Sequence, residues 1–215
     1  SGVEPGPGRA TSLGRLGRVR LLFIRHGRTS SNVGRLLDTG HPGAPLDEVG
    51  LGQAVSLAER LAAEPVEAVY TSDLVRARQT GEPLARARGL AVRELPGLRE
   101  IYAGHDDMAT DWGPYVSVLD SWSTDLTARR PGGEDALEFM TRFDAAVAEI
   151  GASGVGCAAL VSHGAALRVW IPARATNLRP GDARRWRLDN TDVVVAVGDN
   201  AAGWRVTRWA DQSLD

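Results

Sequence analysis

The sequence predicts an α/β fold: a three-layer α/β/α sandwich around a mostly parallel central sheet. Three observations carry that expectation. Apolar runs of strand length alternate along the chain with segments of helical periodicity. The run Val19 to Ile24 is nearly continuous rather than alternating, as befits a strand buried on both faces. Two runs end abruptly in reactive groups, Arg25-His26-Gly27 and Ser162-His163-Gly164. Strands of open α/β sheets present such groups at their carboxyl edge, where ligands bind.

The elements follow in order. After the first strand, Gly50 to Ala63 reads as a helix, with Leu51, Ala54, Leu57, Ala58 and Leu61 at helical spacing and Pro65 closing it. Ala68 to Tyr70 is a short strand. Asp73 is placed to cap a helix from Leu74 to Arg88 that stops at Gly89. Ala91 to Arg93 is a short extended piece. The stretch from Leu98 to Arg130 is irregular, with Tyr102, Trp112, Tyr115 and Trp122 among glycine and proline, and reads as a cap of loop and short helix over residues 101–132. Glu134 to Gly151 is an amphipathic helix with Leu137, Met140, Phe143, Val147 and Ile150 on one face. Ala158 to Val161 is a strand and Ala165 to Arg174 a helix. Val193 to Val197 and Trp204 to Trp209 close the fold as a hairpin, which makes the sheet mixed. Residues 1–18 are rich in glycine and proline and read as a flexible tail, leaving residues 19–215 as one domain.

Composition removes several function classes. The net charge is −2, so no overall electrostatic attraction to nucleic acid or to an anionic membrane is expected. No apolar run reaches the roughly 20 residues of a membrane span. The single cysteine, Cys157, can neither close an intrachain disulfide nor build a metal cluster, which suggests a reducing, cytoplasmic location. All 25 basic residues are arginine. A P-loop lysine or a Schiff-base lysine is therefore excluded, and any phosphate chemistry rests on arginine, histidine and backbone amides.

Arg25, His26, Arg76 and His163 each follow shortly after an expected strand. Two guanidinium forks match phosphate oxygens, and two imidazoles add a nucleophile or base and a donor. Gly27 and Gly164 permit close backbone approach, and the helix starting near Ala165 would aim free N–H groups at an anion. The set suits a phosphoryl group, with covalent catalysis through histidine and no metal or cofactor called for.

Arg25-His26-Gly27-Arg28-Thr29, with Asn32 following, resembles the signature of the histidine phosphatase superfamily, the phosphoglycerate mutase-like proteins, of the branch 1 type. Thr71-Ser72-Asp73-Leu74 through Arg76-Ala77 and Gln79-Thr80 resembles its second block. Leu98-Arg99-Glu100 with Gly104, Pro131-Gly132-Gly133-Glu134, Val161-Ser162-His163-Gly164 and Asp189-Asn190-Thr191 resemble further blocks, in family order, over about Leu21 to Val197. The resemblance implies that His26 is the nucleophile, held through its other ring nitrogen by a backbone carbonyl. It implies that Arg25, Arg76 and His163 clamp the phosphoryl oxygens with Asn32 and Gly164, and that Glu100 is the general acid and base. One stretch departs from the family pattern: Gly104-His105-Asp106-Asp107-Met108 lacks the usual acidic residue followed by glycine, so His105, Asp106 or Asp107 could share the acid role. His41 is expected at a structural or rim position, and Arg129-Arg130 as a solvated pair.

The implied function is metal-independent hydrolysis of small phosphomonoesters. A cofactor-dependent phosphoglycerate mutase is the alternative, though a Glu-Arg-His-Tyr-Gly-type stretch is absent. A catalytically silent binding module is disfavoured because Arg25, His26, Arg76, Glu100 and His163 are all present. The natural substrate is not legible, and a homo-oligomer is left open.

Overall fold

The computed structural model describes residues 18–179 and 186–214. The expected flexible tail, apart from Arg18, lies outside the described residues. Seven strands form one mixed sheet in the order β3-β2-β4-β1-β5-β6-β7. β1 (Val19–Arg25), β2 (Ala68–Thr71), β3 (Val92–Glu94) and β4 (Cys157–Ser162) are parallel to one another. β5 (Val193–Asp199) runs antiparallel to β1 and pairs with β6 (Gly203–Trp209) as the expected hairpin. A short β7 (Gln212–Ser213) extends the edge and was not expected.

The central strands are buried along their length, which is why β4 reads Cys-Ala-Ala-Leu-Val-Ser with no outward polar face. α2 (Glu48–Arg60) and α3 (Val75–Ala87) cover one face, burying Leu57, Ala77 and Leu84 against Leu22, Val69 and Val161. α5 (Ala136–Ala152) and α6 (Gly164–Arg174) cover the other, where Phe23, Phe143 and Trp170 pack ring against ring. Two core clusters on opposite faces make the three-layer sandwich. A one-turn α1 (Ser30–Val33) follows β1, and α4 (Gly113–Ser121) is the helix of the cap.

Two local expectations are corrected. Asp73 does not cap α3; the N-cap position is Leu74, without a side-chain bond. Arg99 takes the Asp73 carboxylate instead, through two hydrogen bonds. The buried stripe of α5 runs through Ala136, Phe139, Phe143, Ala146, Val147 and Ile150, not through Leu137, which is 52% exposed. Asp135 is the N-cap of that helix, with a capping box, so the helix begins at Ala136, two residues later than Glu134.

Candidate active site

Sheet register brings the reactive groups together. Arg25 of β1 pairs with Ser162 of β4, so the next residues, His26 and His163, emerge side by side at the carboxyl edge. The His26 N–H donates to the Ser162 carbonyl at 3.0 Å, and the two imidazole centroids are 5.1 Å apart. Thr71 of β2 pairs with Val161, which sets Ser72 beside His163.

His26 is 4% exposed. Its Nδ1 lies 2.7 Å from the Gly27 carbonyl, which can only accept, so Nδ1 carries the proton. Nε2 is left with its lone pair, and Arg76 Nε donates to it at 3.2 Å. Burial, reinforced by the Arg76 and Arg25 charges, holds the His26 pKa well below its ordinary 6.5, against the Gly27 carbonyl. A neutral imidazole with a defined tautomer and an available Nε2 can attack an electrophile. Gly27 is required by close approach: a Cβ there would lie 2.9 Å from the Gly50 carbonyl oxygen. Its N–H donates to Thr80 Oγ1 at 2.9 Å, and that hydroxyl donates to the Arg76 carbonyl at 2.7 Å.

Arg76, 2% exposed, is anchored by Asp38: Nη2 donates to its carbonyl at 2.8 Å, and Nη1 faces its carboxylate at 3.4 Å. Arg25 Nη1 donates to the Leu188 carbonyl at 2.7 Å, while its Nε is buried with no hydrogen-bond partner among the described residues. That atom sits beside Gly164, where a Cβ would come within 3.3 Å of it. Burial lowers the pKa of both guanidinium groups, yet arginine starts so high that both stay charged. Asn32 closes the capping box of α1 with Thr29, and its Oδ1 also accepts from Asn190 Nδ2 at 3.2 Å. What remains for a phosphoryl oxygen is its amide N–H pair.

His163 is wholly buried, with Nε2 2.7 Å from Ser72 Oγ and Nδ1 without a hydrogen-bond partner. Burial, then Arg76 and His26, hold its pKa well below 6.5. His163 is also the N-cap residue of α6 but does not cap it. Glu100 takes over. Its Oε1 accepts from Ala166 N at 2.7 Å and from Ile101 N at 2.9 Å, and its Oε2 from Ala165 N at 3.0 Å. The expectation that these helix amides face an external anion is therefore corrected; they hold the Glu100 carboxylate. Oε2, with a single amide, keeps a lone pair for a proton.

A cavity of about 210 Å³ joins these groups except His163, which lies buried behind its wall: Arg25, His26, Asn32, Arg76, Glu100 and Gly164 line it. Leu36, Trp112, Tyr115, Val116, Leu119 and Val169 form much of the remaining wall. The alternative acids lie elsewhere. Asp107 accepts from Thr39 and Gly40, Asp106 pairs with Arg130, and His105 donates its backbone N–H to Pro131. Arg129, expected to be solvated, pairs with Asp135 and Glu138. Trp122 is buried on Phe139, and Tyr102 and His41 line a neighbouring cleft.

The family model of the histidine phosphatase superfamily (branch 1) matches residues 21–212. The chain belongs to that superfamily. Among superfamily relatives, a PE-PGRS family protein of Mycobacterium tuberculosis is 30% identical over 87% of this chain, which spans only 35% of that protein's length. A probable phosphoglycerate mutase of Yersinia enterocolitica is 30% identical over 91% of this chain and 92% of its own. The solved structure of a mycobacterial glucosyl-3-phosphoglycerate phosphatase superposes with a TM-score of 0.76 at 27% identity, over 91% of this chain and all of the other.

Two residues at this histidine phosphatase site were not singled out from sequence. Asp38, which anchors Arg76, lies in a loop whose only signal is a carboxylate among apolar neighbours. Arg142 of α5 donates to the carbonyls of Gly97, Arg99 and Glu100 and binds Glu134, holding the segment that carries Glu100. Its signal was a cation beside the buried stripe, over the Phe139 ring at 5.1 Å.

Proposed function

We propose that the protein is a phosphatase that hydrolyses small phosphomonoesters through a phosphohistidine at His26. The observation that carries this reading is the state of His26: buried, neutral, its proton fixed on Nδ1 by the Gly27 carbonyl, and its Nε2 facing a cavity shared with Arg25, Arg76 and Glu100. Nε2 attacks phosphorus in line, and the bond to the leaving oxygen breaks as Glu100 passes that oxygen its proton. Water then attacks the phosphohistidine. Glu100 takes the water's proton, the N–P bond breaks, and phosphate leaves. Arg25 and Arg76 stabilise the charge spread over the phosphoryl oxygens in both steps, so the chain's own residues supply the electrostatics. His163 and Asn32 add donors. The phosphatases among the relatives support hydrolysis.

The test is phosphate release from an aryl phosphate and from a panel of metabolite phosphomonoesters, with chelator present, wild type beside His26→Ala. Release by the wild type and loss of at least about a thousandfold in the variant, at unchanged thermal unfolding, is the expected result. A variant that keeps near-normal turnover would remove His26 as nucleophile. The relative described as a probable phosphoglycerate mutase favours a second reading, phosphoryl transfer between hydroxyls of phosphoglycerate. Interconversion of phosphoglycerates outrunning phosphate release would select it.

A further inference from the structure

Beside the catalytic cavity lies a second, larger space of about 450 Å³ between α4, α5 and α6. The two cavities share four wall residues: Leu119, Asp120, Arg168 and Val169. Beyond that shared wall the second space is mostly apolar, bounded by Trp122, Leu126, Leu137, Met140 and Pro172, with Ser123 and an Arg174 that is paired to Asp144 at its rim. Leu126 and Leu137 are each 52% exposed and face this one space together. A mostly apolar groove that shares wall residues with a catalytic cavity is a place for the non-reacting part of a substrate. Asp120 and Arg168 stand at the junction of the two spaces.

We propose that the natural substrate is the phosphomonoester of an extended apolar alcohol, with its phosphoryl group at His26 and its hydrocarbon body running past Leu119 and Val169 into the groove at Leu137. The assignment rests on the phosphatase reading and adds the class of leaving group. Remote apolar contacts of this kind raise kcat/KM by binding the part of the substrate that does not react.

The experiment measures kcat/KM by phosphate release for n-alkyl phosphates from propyl to dodecyl, below their aggregation concentrations, beside 3-phosphoglycerate. Wild type is compared with Leu137→Arg and Leu126→Arg. Both positions are exposed and away from the catalytic groups, so folding is expected to be kept, and thermal unfolding checks it. The expected result is a rise of about two- to fourfold per methylene until the groove is filled. Leu137→Arg should flatten that rise while leaving propyl phosphate unchanged. A flat chain-length series with propyl phosphate still hydrolysed would overturn the proposal and leave the phosphatase standing. So would 3-phosphoglycerate outperforming the long alkyl phosphates. A flat series joined to a concentration-dependent dimer that Leu137→Arg dissociates would assign the groove to a second copy of the chain. No turnover of any phosphomonoester would overturn both readings.

Discussion

At the sheet edge, His26 and Arg76 are 4% and 2% exposed, and each is tied to backbone atoms: His26 to Gly27, Arg76 to the Asp38 carbonyl. Across the cavity, Trp112 and Val116 of the cap are 39% and 41% exposed. The cap is tied to the body by bonds that include Trp112 Nε1 to the Arg35 carbonyl at 2.8 Å, the backbone pair between Leu37 and residues 108 and 109, and the bonds from Thr39 and Gly40 to the Asp107 carboxylate. The first wall is set by parallel register, which places His26 beside His163, and by α3, which carries the buried Arg76. The second depends on side-chain packing over a short helix and belongs to the less stable end of the molecule. Chemistry and substrate choice therefore rest on separate supports, and each can be disturbed without the other.

The largest expected effect breaks the first wall. Arg76→Met leaves the largely buried Asp38 carboxylate without its cation, which should cost roughly 3–5 kcal/mol of stability along with nearly all activity. Adding Asp38→Leu should restore part of the stability and none of the activity, because Ser31 and Ala44 also donate to Asp38. Denaturant unfolding and phosphate release on the three proteins check this. If the double variant recovers turnover, Arg76 acts only as a structural cation.

Glu100→Gln tests the junction between the walls, since Glu100 sits at the N-terminus of α6 and opens on the cavity. Loss of about 10²–10³ in kcat/KM, which reports only the steps through phosphoryl transfer to His26, is expected on alkyl phosphates, against less than tenfold on aryl phosphates whose leaving oxygen needs no proton. An equal loss on both would remove Glu100 as general acid.

The contrast between the walls also explains what could be read from sequence. His26 and His163 were legible because each is the residue after a buried strand, and strand register then does the rest. The α/β layering followed from the same alternation of runs. Asp73 was misread because Arg99, 26 residues away, binds the carboxylate that a local rule assigned to capping. The amides of α6 were assigned to substrate because nothing local shows that Glu100 reaches them. Phe139 and Leu137 exchanged places because the stripe of α5 begins at its capping box, one position from where periodicity alone started it. The errors at Asp73 and at the α6 amides concern contacts between distant segments, whereas the shift in α5 is set locally by its capping box.

Arg142→Met sharpens the comparison from the cap side. The guanidinium gathers the Gly97, Arg99 and Glu100 carbonyls. Without it the three acceptors lose their donor, and Glu134 its cation. Expected are a loss of about 2–4 kcal/mol and a fall in kcat larger than the rise in KM, since the acid shifts while the phosphate cradle stays. A change confined to KM would place Arg142 with substrate binding.

The smallest effect is on acid stability, and it belongs wholly to the first wall. Burial holds the folded pKa values of His26 and His163 well below 6.5. The unfolded chain binds protons on both residues near 6.5, whereas the folded chain does not. Above that pH both states are neutral and the histidines contribute nothing to the slope. As pH falls from about 6.5 towards 5, the unfolded state takes up protons the native state refuses, and stability is lost at up to about 1.4 kcal/mol per pH unit for each histidine. Chemical unfolding at a series of pH values should show this slope, and His26→Asn should reduce it by up to half while leaving the cap's contacts intact. Should the slope between pH 5 and 6.5 be the same in wild type and variant, His26 is not held neutral by its burial, and the difference between the two walls is smaller than the geometry implies.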